Sequence, residues 1–389
     1  SHASCLLDVG QEMKPPPEVQ SLTAVPAVSK RRSAAIDHIR VVLTALVIFH
    51  HVAIVYGGSG DWYWREQPNA SNPVLWMFNA VNQAFFMGFF FLLAGYYTPS
   101  SYERKGPVGF LADRLLRLGV PLLVYFFVLA PFTDALAHTN KGFTFWERWW
   151  ERTRSGVFGP GPLWFAEALL LFIGGYVVWC KLRPAPTTIK DLPSFRTLAF
   201  TAFILGGVSF LVRLVMPVGR EFAWLQVGYF PCYIYLFAAG CAAGRANLLE
   251  EVTFHQARPW IVVSLLAILT LPVAIFLRPG QGAFEGGWNS NAFYYALWDP
   301  LVAWGVILGM LWATRTYWSQ AVTLTTWLAR RAYGAYIVHP PIAVGMSLVA
   351  TTWTLAPIWK FCVVGSAACV GSFLAAHLLV AIPGVRRII

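Results

Sequence analysis

The sequence predicts an all-α, polytopic transmembrane helical bundle of about ten spans, with both termini in the cytoplasm. Three observations carry that expectation. Hydrophobic residues are 57% of the 389 and charged residues 12%, whereas a soluble globular domain is nearer a quarter charged. Apolar runs of about 20 residues, long enough to cross a bilayer's hydrocarbon, recur along almost the whole chain. These runs do not alternate apolar with polar residues, as a β-barrel would require. Mean hydropathy is +0.56, and many of the 18 Trp, 15 Tyr and 29 Phe sit near span ends, as in interfacial belts.

Residues 1–35 are polar, contain Pro15-Pro16-Pro17 and end on Lys30-Arg31-Arg32. They read as a disordered, basic N-terminal tail ahead of a membrane domain over 36–385. Spans are expected at 36–56, 74–98, 117–137, 162–182, 195–217, 228–246, 259–277, 292–313, 332–351 and 357–382. Proline or glycine punctuates the junctions, as at Pro73, Pro99, Pro160-Gly161-Pro162, Pro259 and Pro357. The connection 138–161 carries Phe145, Trp146, Trp149 and Trp150 among charges. It reads as an interfacial helix or as a lid over an outer cavity.

With the N-terminus inside, eighteen Lys and Arg fall in inner segments and seven in outer loops. That is the positive-inside pattern. It accounts for the formal net charge of +11 without a nucleic-acid partner. The six cysteines show no CxxC pair and no metal-ligand spacing; Cys180, Cys232, Cys241, Cys362 and Cys369, in or beside apolar spans, read as small buried hydrophobes, and no metal is expected. No internal repeat argues for a secondary transporter. There is no P-loop, HExxH or GxSxG signature.

The first span carries Asp37, Arg40, His50 and His51. Charged and titratable groups in hydrocarbon are expensive and usually mark a site. Arg40 and His51 are eleven residues apart, about three helical turns and about 16 Å along one face, with Asp37 near the same stripe. An imidazole there can deprotonate a hydroxyl or carry an acyl group itself. The bland alternatives are a snorkelling arginine and a histidine satisfied by a carbonyl. His50 points about 100° from His51 and reads as packing or support. Arg114 and Arg117, at i and i+3, form a fork suited to phosphate, or ordinary positive-inside anchors. Trp164 and Glu167 open the fourth span, and Glu167, Asp134 and Asp299 are intramembrane carboxylates with a function or a buried partner. Arg213 is a candidate partner for one of them. His339 precedes Pro340-Pro341 inside the ninth span and reads either as a site residue or as part of a kink. His377 reads as structural.

In order and spacing, these stretches resemble the acyltransferase 3 family of integral membrane O-acyltransferases. Arg40 and His51 match its Arg-x10-His, with Asp37 as the preceding acid. Phe89-Phe90-Phe91 through Ala94-Gly95-Tyr96 matches its Phe-rich run, with Ala94 in place of a serine. Arg114 and Arg117 match its Arg-x-x-Arg, Leu163 to Phe165 its Leu-Trp-Phe segment, and Tyr336, His339 and Pro341 its late motif. The lack of an attached soluble domain and the His50-His51 pair look most like the glucan biosynthesis protein C group, glucan succinyltransferases.

The resemblance implies acyl-CoA as donor, entering from the cytoplasm, and a carbohydrate or glycan hydroxyl as acceptor on the far side of a bacterial plasma (inner) membrane. It implies acetyl or succinyl transfer. His51 would be the base or acyl carrier, with Arg40, Asp37 and Glu167 in the catalytic group. Arg114, Arg117 and Arg40 would hold the CoA phosphates, and Asp299, His339, Trp164 and His50 would meet substrate. The rival reading is a transporter or permease for an anionic or polar solute, with the same residues lining a pathway.

Overall fold

The computed structural model describes residues 33–139, 142–182, 189–277 and 282–388. Residues 1–32 of the expected tail lie outside the described residues, as do Lys30, Arg31, Arg32, Lys141, Arg183 and Arg278 from the charge count, while Ala34 and Ala35, read as tail, already belong to the first helix. The described chain is helical. Its elements are α1 (Ala34–Val55), α2 (Pro73–Arg114), α3 (Val120–Val124), α4 (Ala130–His138), α5 (Phe145–Arg154), α6 (Trp164–Leu182), α7 (Phe195–Val215) and α8 (Phe230–Gly244). They continue with α9 (Phe254–Leu277), α10 (Ser290–Tyr317), α11 (Thr323–Ala329), α12 (Ala332–Val349), α13 (Pro357–Ala381) and α14 (Val385–Ile388).

Among the described residues, nine helical runs are long and apolar enough to cross a membrane. One of them, Pro73–His138, has 66 residues, about 100 Å of helix and far more than one crossing. It reverses at Gly106, where φ is 68° and ψ is 169°, a conformation that is essentially glycine's alone. Pro107 disfavours the helical region for Gly106 as well. This run therefore has the length of two spans, which makes ten among the described residues. The sequence expects the break at Pro99. The helix instead runs through it, because one proline forfeits one ladder bond while Gly106 leaves the helical region altogether. Likewise α9 starts at Phe254 rather than at 259, where Thr253 and Gln256 cap each other's backbone and side chain.

The third span is not uniform. π-helical turns at Leu115–Gly119 and Tyr125–Leu129 join α2, α3 and α4. Pro121 has no N–H for the carbonyl of Arg117, and the Tyr333 hydroxyl donates to it instead at 3.0 Å. The expected interfacial helix is α5, opened by a Thr144–Glu147 capping box. Arg148 Nε donates to Asp134 Oδ2 at 2.9 Å, pinning α5 to α4, while Trp146 and Trp150 stay exposed.

α1 is the hub. It packs on α2, α10, α11, α12 and α13, and its buried Ile36, Ile39, Leu43 and Val47 recur every three or four residues along one stripe. Lipid tails are as apolar as leucine, so packing of small residues rather than burial itself drives such helices together. The α2–α8 pair shows this. Gly240 and Gly244 form a GxxxG face, and Gly95 meets them. A Cβ on Gly240 would lie 2.1 Å from the Leu92 carbonyl, one on Gly244 2.3 Å from that of Tyr96, and one on Gly95 2.1 Å from that of Phe237. Backbone cannot give way as a side chain can. Gly240→Val is therefore expected to lower stability by about 3 kcal/mol or more, whereas Gly174→Ala, with open space around it, is expected to be neutral or slightly stabilising. Thermal unfolding of the two detergent-purified variants checks this, and equal melting temperatures would refute it.

Candidate active site

α12 carries Pro340 and Pro341 inside the helix. Pro340 offers no N–H, so the carbonyl of Tyr336 four residues earlier loses its helical donor. His339 Nδ1 takes that place at 2.6 Å. A carbonyl only accepts, so the His339 proton sits on Nδ1 and its Nε2 is an acceptor in the neutral ring. That Nε2 lies 3.0 Å from Nδ1 of His51. His51 must then donate through Nδ1, and the carbonyl of Val47, one turn back, is a second acceptor for the same N–H. The lone pair of His51 is left on Nε2, which has no hydrogen-bond partner among the described residues. His339 is fully buried and His51 half-buried.

His51 sits four residues from the end of α1, under a loop. Trp62 from that loop stacks on its ring, with centroids 4.0 Å apart and planes at 19°. The loop is strapped down: Lys360 Nζ pairs with Glu66 Oε1 at 2.5 Å, and Asn79 Nδ2 donates to the carbonyl of Ser59 at 2.9 Å. His50 turns toward α2. It stacks on Phe86 with centroids at 5.0 Å, and its Nδ1 accepts from Asn82 Nδ2 at 3.4 Å.

On the other side of the histidines lies a cavity of about 1130 Å³. It opens at the face from which both ends of the described chain emerge. Its mouth gathers Arg40, Arg114, Arg117, Arg330, Arg331 and Arg386, with His377 and Trp327. Arg114 is the most telling of these, since its Nε is buried without a hydrogen-bond partner among the described residues. Farther in, the walls are Met87, Phe90, Phe165, Leu169 and Ile173. Met87 and Thr98 both line it along α2, about 16 Å of depth. Its inner end is Tyr336, whose hydroxyl donates to the carbonyl of Pro162. Tyr336 is also the residue whose own carbonyl holds His339, so the cavity ends one helical turn from the histidine pair.

The candidate residues thus fall into three groups. Arg40, Arg114 and Arg117 share the cavity mouth, and Asp37 lies 3.5 Å from Arg40. His51, His339 and His50 cluster beyond its end. The rest stand apart. Asp299 is buried against Arg213 at 2.5 Å, with Tyr229 and Tyr295 against the guanidinium at 5.1 and 5.3 Å. It is a structural pair rather than part of the histidine cluster. Glu167 makes no ion pair and no side-chain hydrogen bond among the described residues, with His51 or with any other. Trp164 faces Tyr233 at 6.0 Å, while its neighbour Phe165 is the cavity wall. Sequence reasoning missed Trp62 and the Glu66–Lys360 strap, although a lone lysine in an apolar span was a usable signal. It read Arg330, Arg331 and Arg386 only as inner-surface anchors and His377 as structural, but all four line the mouth.

Removing one member of a buried ion pair strands the other. Arg213→Leu is expected to lower stability by about 3–5 kcal/mol, and the double change Arg213→Leu/Asp299→Leu to recover most of it. Chemical or thermal unfolding of both variants tests the pair. A double variant as unstable as the single one would refute a purely structural role.

Comparison with known proteins agrees with this geometry. The family model Acyl_transf_3, an acyltransferase domain, matches residues 33–377, from the residue before α1 to within α13. No curated protein and no solved structure matches the chain, so the glucan succinyltransferase likeness has no named relative behind it. The match takes in the histidine pair and every arginine of the cavity mouth except Arg386. The chain belongs to the acyltransferase 3 family of integral, multi-pass membrane acyltransferases.

Proposed function

We propose that this acyltransferase takes its acyl group from acyl-CoA at the cytoplasmic face and delivers it to a hydroxyl of a carbohydrate on the far side of a bacterial plasma membrane. The observation that carries the reading is the alignment of an arginine-lined cavity with a histidine whose lone pair is fixed on Nε2. The pyrophosphate and 3′-phosphate of CoA suit Arg114, Arg117, Arg40 and their neighbours, because guanidinium pairs with phosphate oxygens. The thioester arm follows the apolar walls inward.

In the transfer step, His51 Nε2 takes the proton of the acceptor hydroxyl. The oxygen attacks the thioester carbonyl carbon, the C–O bond forms, and the C–S bond breaks. The departing thiolate takes the proton back from His51, leaving ester and free CoA. His339 is a positioning residue: it accepts from Nδ1–H of His51 and stabilises the imidazolium while the proton is held. Inward orientation of both termini follows from the positive-inside bias.

Purified protein given acyl-CoA and an envelope-glycan acceptor tests this. His51→Ala is expected to lose about 10²–10⁴-fold in kcat while staying folded. His339→Ala is expected to lower kcat with KM for acyl-CoA retained. Arg114→Ala/Arg117→Ala is expected to raise that KM by tenfold or more. Full activity in folded His51→Ala sinks the mechanism. Wild type that binds no CoA but moves a labelled solute into liposomes points to the transporter instead.

A further inference from the structure

We propose that the indole N–H of Trp62 is the oxyanion donor of the transfer step, which makes Trp62 a catalytic residue beside His51. This rests on the acyl-CoA reading above and adds to it. The histidine pair leaves two hydrogen-bonding groups open, of opposite sense. One is the lone pair on Nε2 of His51. The other is Nε1–H of Trp62, which is buried and has no partner among the described residues. Neither can satisfy the other. The two rings stack with centroids 4.0 Å apart and planes at 19°, whereas a ring N–H and a ring lone pair each point along their own plane. The same indole lies parallel to His339 as well, at 6.0 Å and 13°. A ring that only covered the imidazole would need no N–H. Phenylalanine would cover it without leaving a buried donor unmet, which is costly.

The two open groups match the two ends of the reaction. The acceptor hydroxyl gives its proton to Nε2 of His51, and its oxygen bonds to the thioester carbonyl carbon. The π pair of that carbonyl moves onto its oxygen, which becomes an oxyanion. Rings stacked this closely keep Nε1 of Trp62 within a ring's breadth of Nε2 of His51, so an oxyanion formed beside the reacting hydroxyl comes within reach of the indole N–H. The pair then returns, the C=O bond reforms, the C–S bond breaks, and the CoA thiolate takes the proton from His51. A donor is worth most when it is held in place before charge develops. The backbone that carries Trp62 is held in this way. Its own N–H donates to Asp61 Oδ1 at 2.9 Å, the hydroxyls of Tyr63 and Tyr125 bond at 2.9 Å, and Lys360 anchors Glu66. Asn79 and Asn82, on the neighbouring face of α2, direct their amides to the carbonyls of His50, Ser59 and Leu46 instead.

Two variants separate the N–H from the ring. Trp62→Phe keeps an aromatic ring over His51 and removes the donor. Incorporating 3-benzothienylalanine at position 62 keeps the full bicyclic shape and puts sulfur where the N–H was. Steady-state turnover of acyl-CoA by the purified full chain, with an envelope-glycan acceptor, should fall about 10²–10³-fold in kcat in both. KM for acyl-CoA and for acceptor should stay within about twofold of wild type, because the oxyanion exists only past the ground state. A kcat within about tenfold of wild type in either folded variant overturns the inference. So does a loss confined to the KM of the acceptor, which would make Trp62 a binding residue only. If wild type consumes no acyl-CoA thioester, or folded His51→Ala keeps full activity, it is the acyl-CoA and His51 reading that fails instead.

Discussion

One missing hydrogen bond organises the centre of this bundle. Pro340 cannot supply the N–H that the Tyr336 carbonyl expects. An unsatisfied carbonyl is costly in hydrocarbon, where no water replaces the lost partner. His339 fills the vacancy, and doing so fixes which of its nitrogens carries the proton. That choice propagates to His51 across 3.0 Å, leaving the lone pair of His51 on Nε2. A helix defect in α12 thus sets the protonation pattern of a residue in α1. The arrangement holds only because α1 packs against α12, so the central position of α1 matters as much as its histidine.

The same helix divides the molecule along the membrane normal. Cations gather where they can reach headgroups and water, the walls then turn apolar, and titratable rings reappear only past Tyr336. Each zone draws on several helices: arginines from α1, α2, the third span, the turn between α11 and α12, and α14; walls from α2 and α6; rings from α1 and α12. The scaffold must therefore hold many helices in fixed register. Close glycine contacts between α2 and α8 supply part of that rigidity, because backbone against backbone leaves no room for sliding. They hold the very helix that contributes Met87 and Phe90 to the cavity wall and Phe86 to the stack on His50.

Much of this was legible in the sequence, for identifiable reasons. Span length and charge bias follow from the bilayer itself, so most spans could be read within a few residues; the exceptions are Pro99, where a single lost bond was mistaken for a stop, and the third span, expected from 117 but helical from Pro107 on. Helical periodicity set Arg40 and His51 on one face, and the three arginines of the two motifs do meet at one cavity. Contacts between distant segments were not legible. Nothing periodic announces that Trp62 of a loop will cover His51, and Arg213 was expected to pair with one of three carboxylates without a sign that it would be Asp299. Arg330, Arg331 and Arg386 were masked by an honest competing cause: inner-surface anchoring produces the same residues at the same places as a phosphate-binding mouth. Pro340-Pro341 was seen as a kink, but the freed carbonyl matters more than the bend.

The loop over His51 completes the division between the two faces. Trp62 stacked at 4.0 Å covers one side of the imidazole, His339 holds one edge, and His50 meets it edge-on at 5.6 Å. The open nitrogen is thus approached within a narrow range of directions. The loop itself is not free to lift as a whole. Glu66 is tied by a buried ion pair to α13 and by its own N–H to the carbonyl of Val55 at 3.1 Å, and Asn79 of α2 holds Ser59. Breaking the Glu66–Lys360 pair would leave a buried, uncompensated charge, so a local side-chain rotation of Trp62 is a cheaper opening than loop release. On that face the ring of Trp62 stands over the imidazole, and on the other Tyr336, bonded to the carbonyl of Pro162, stands between the histidines and the cavity.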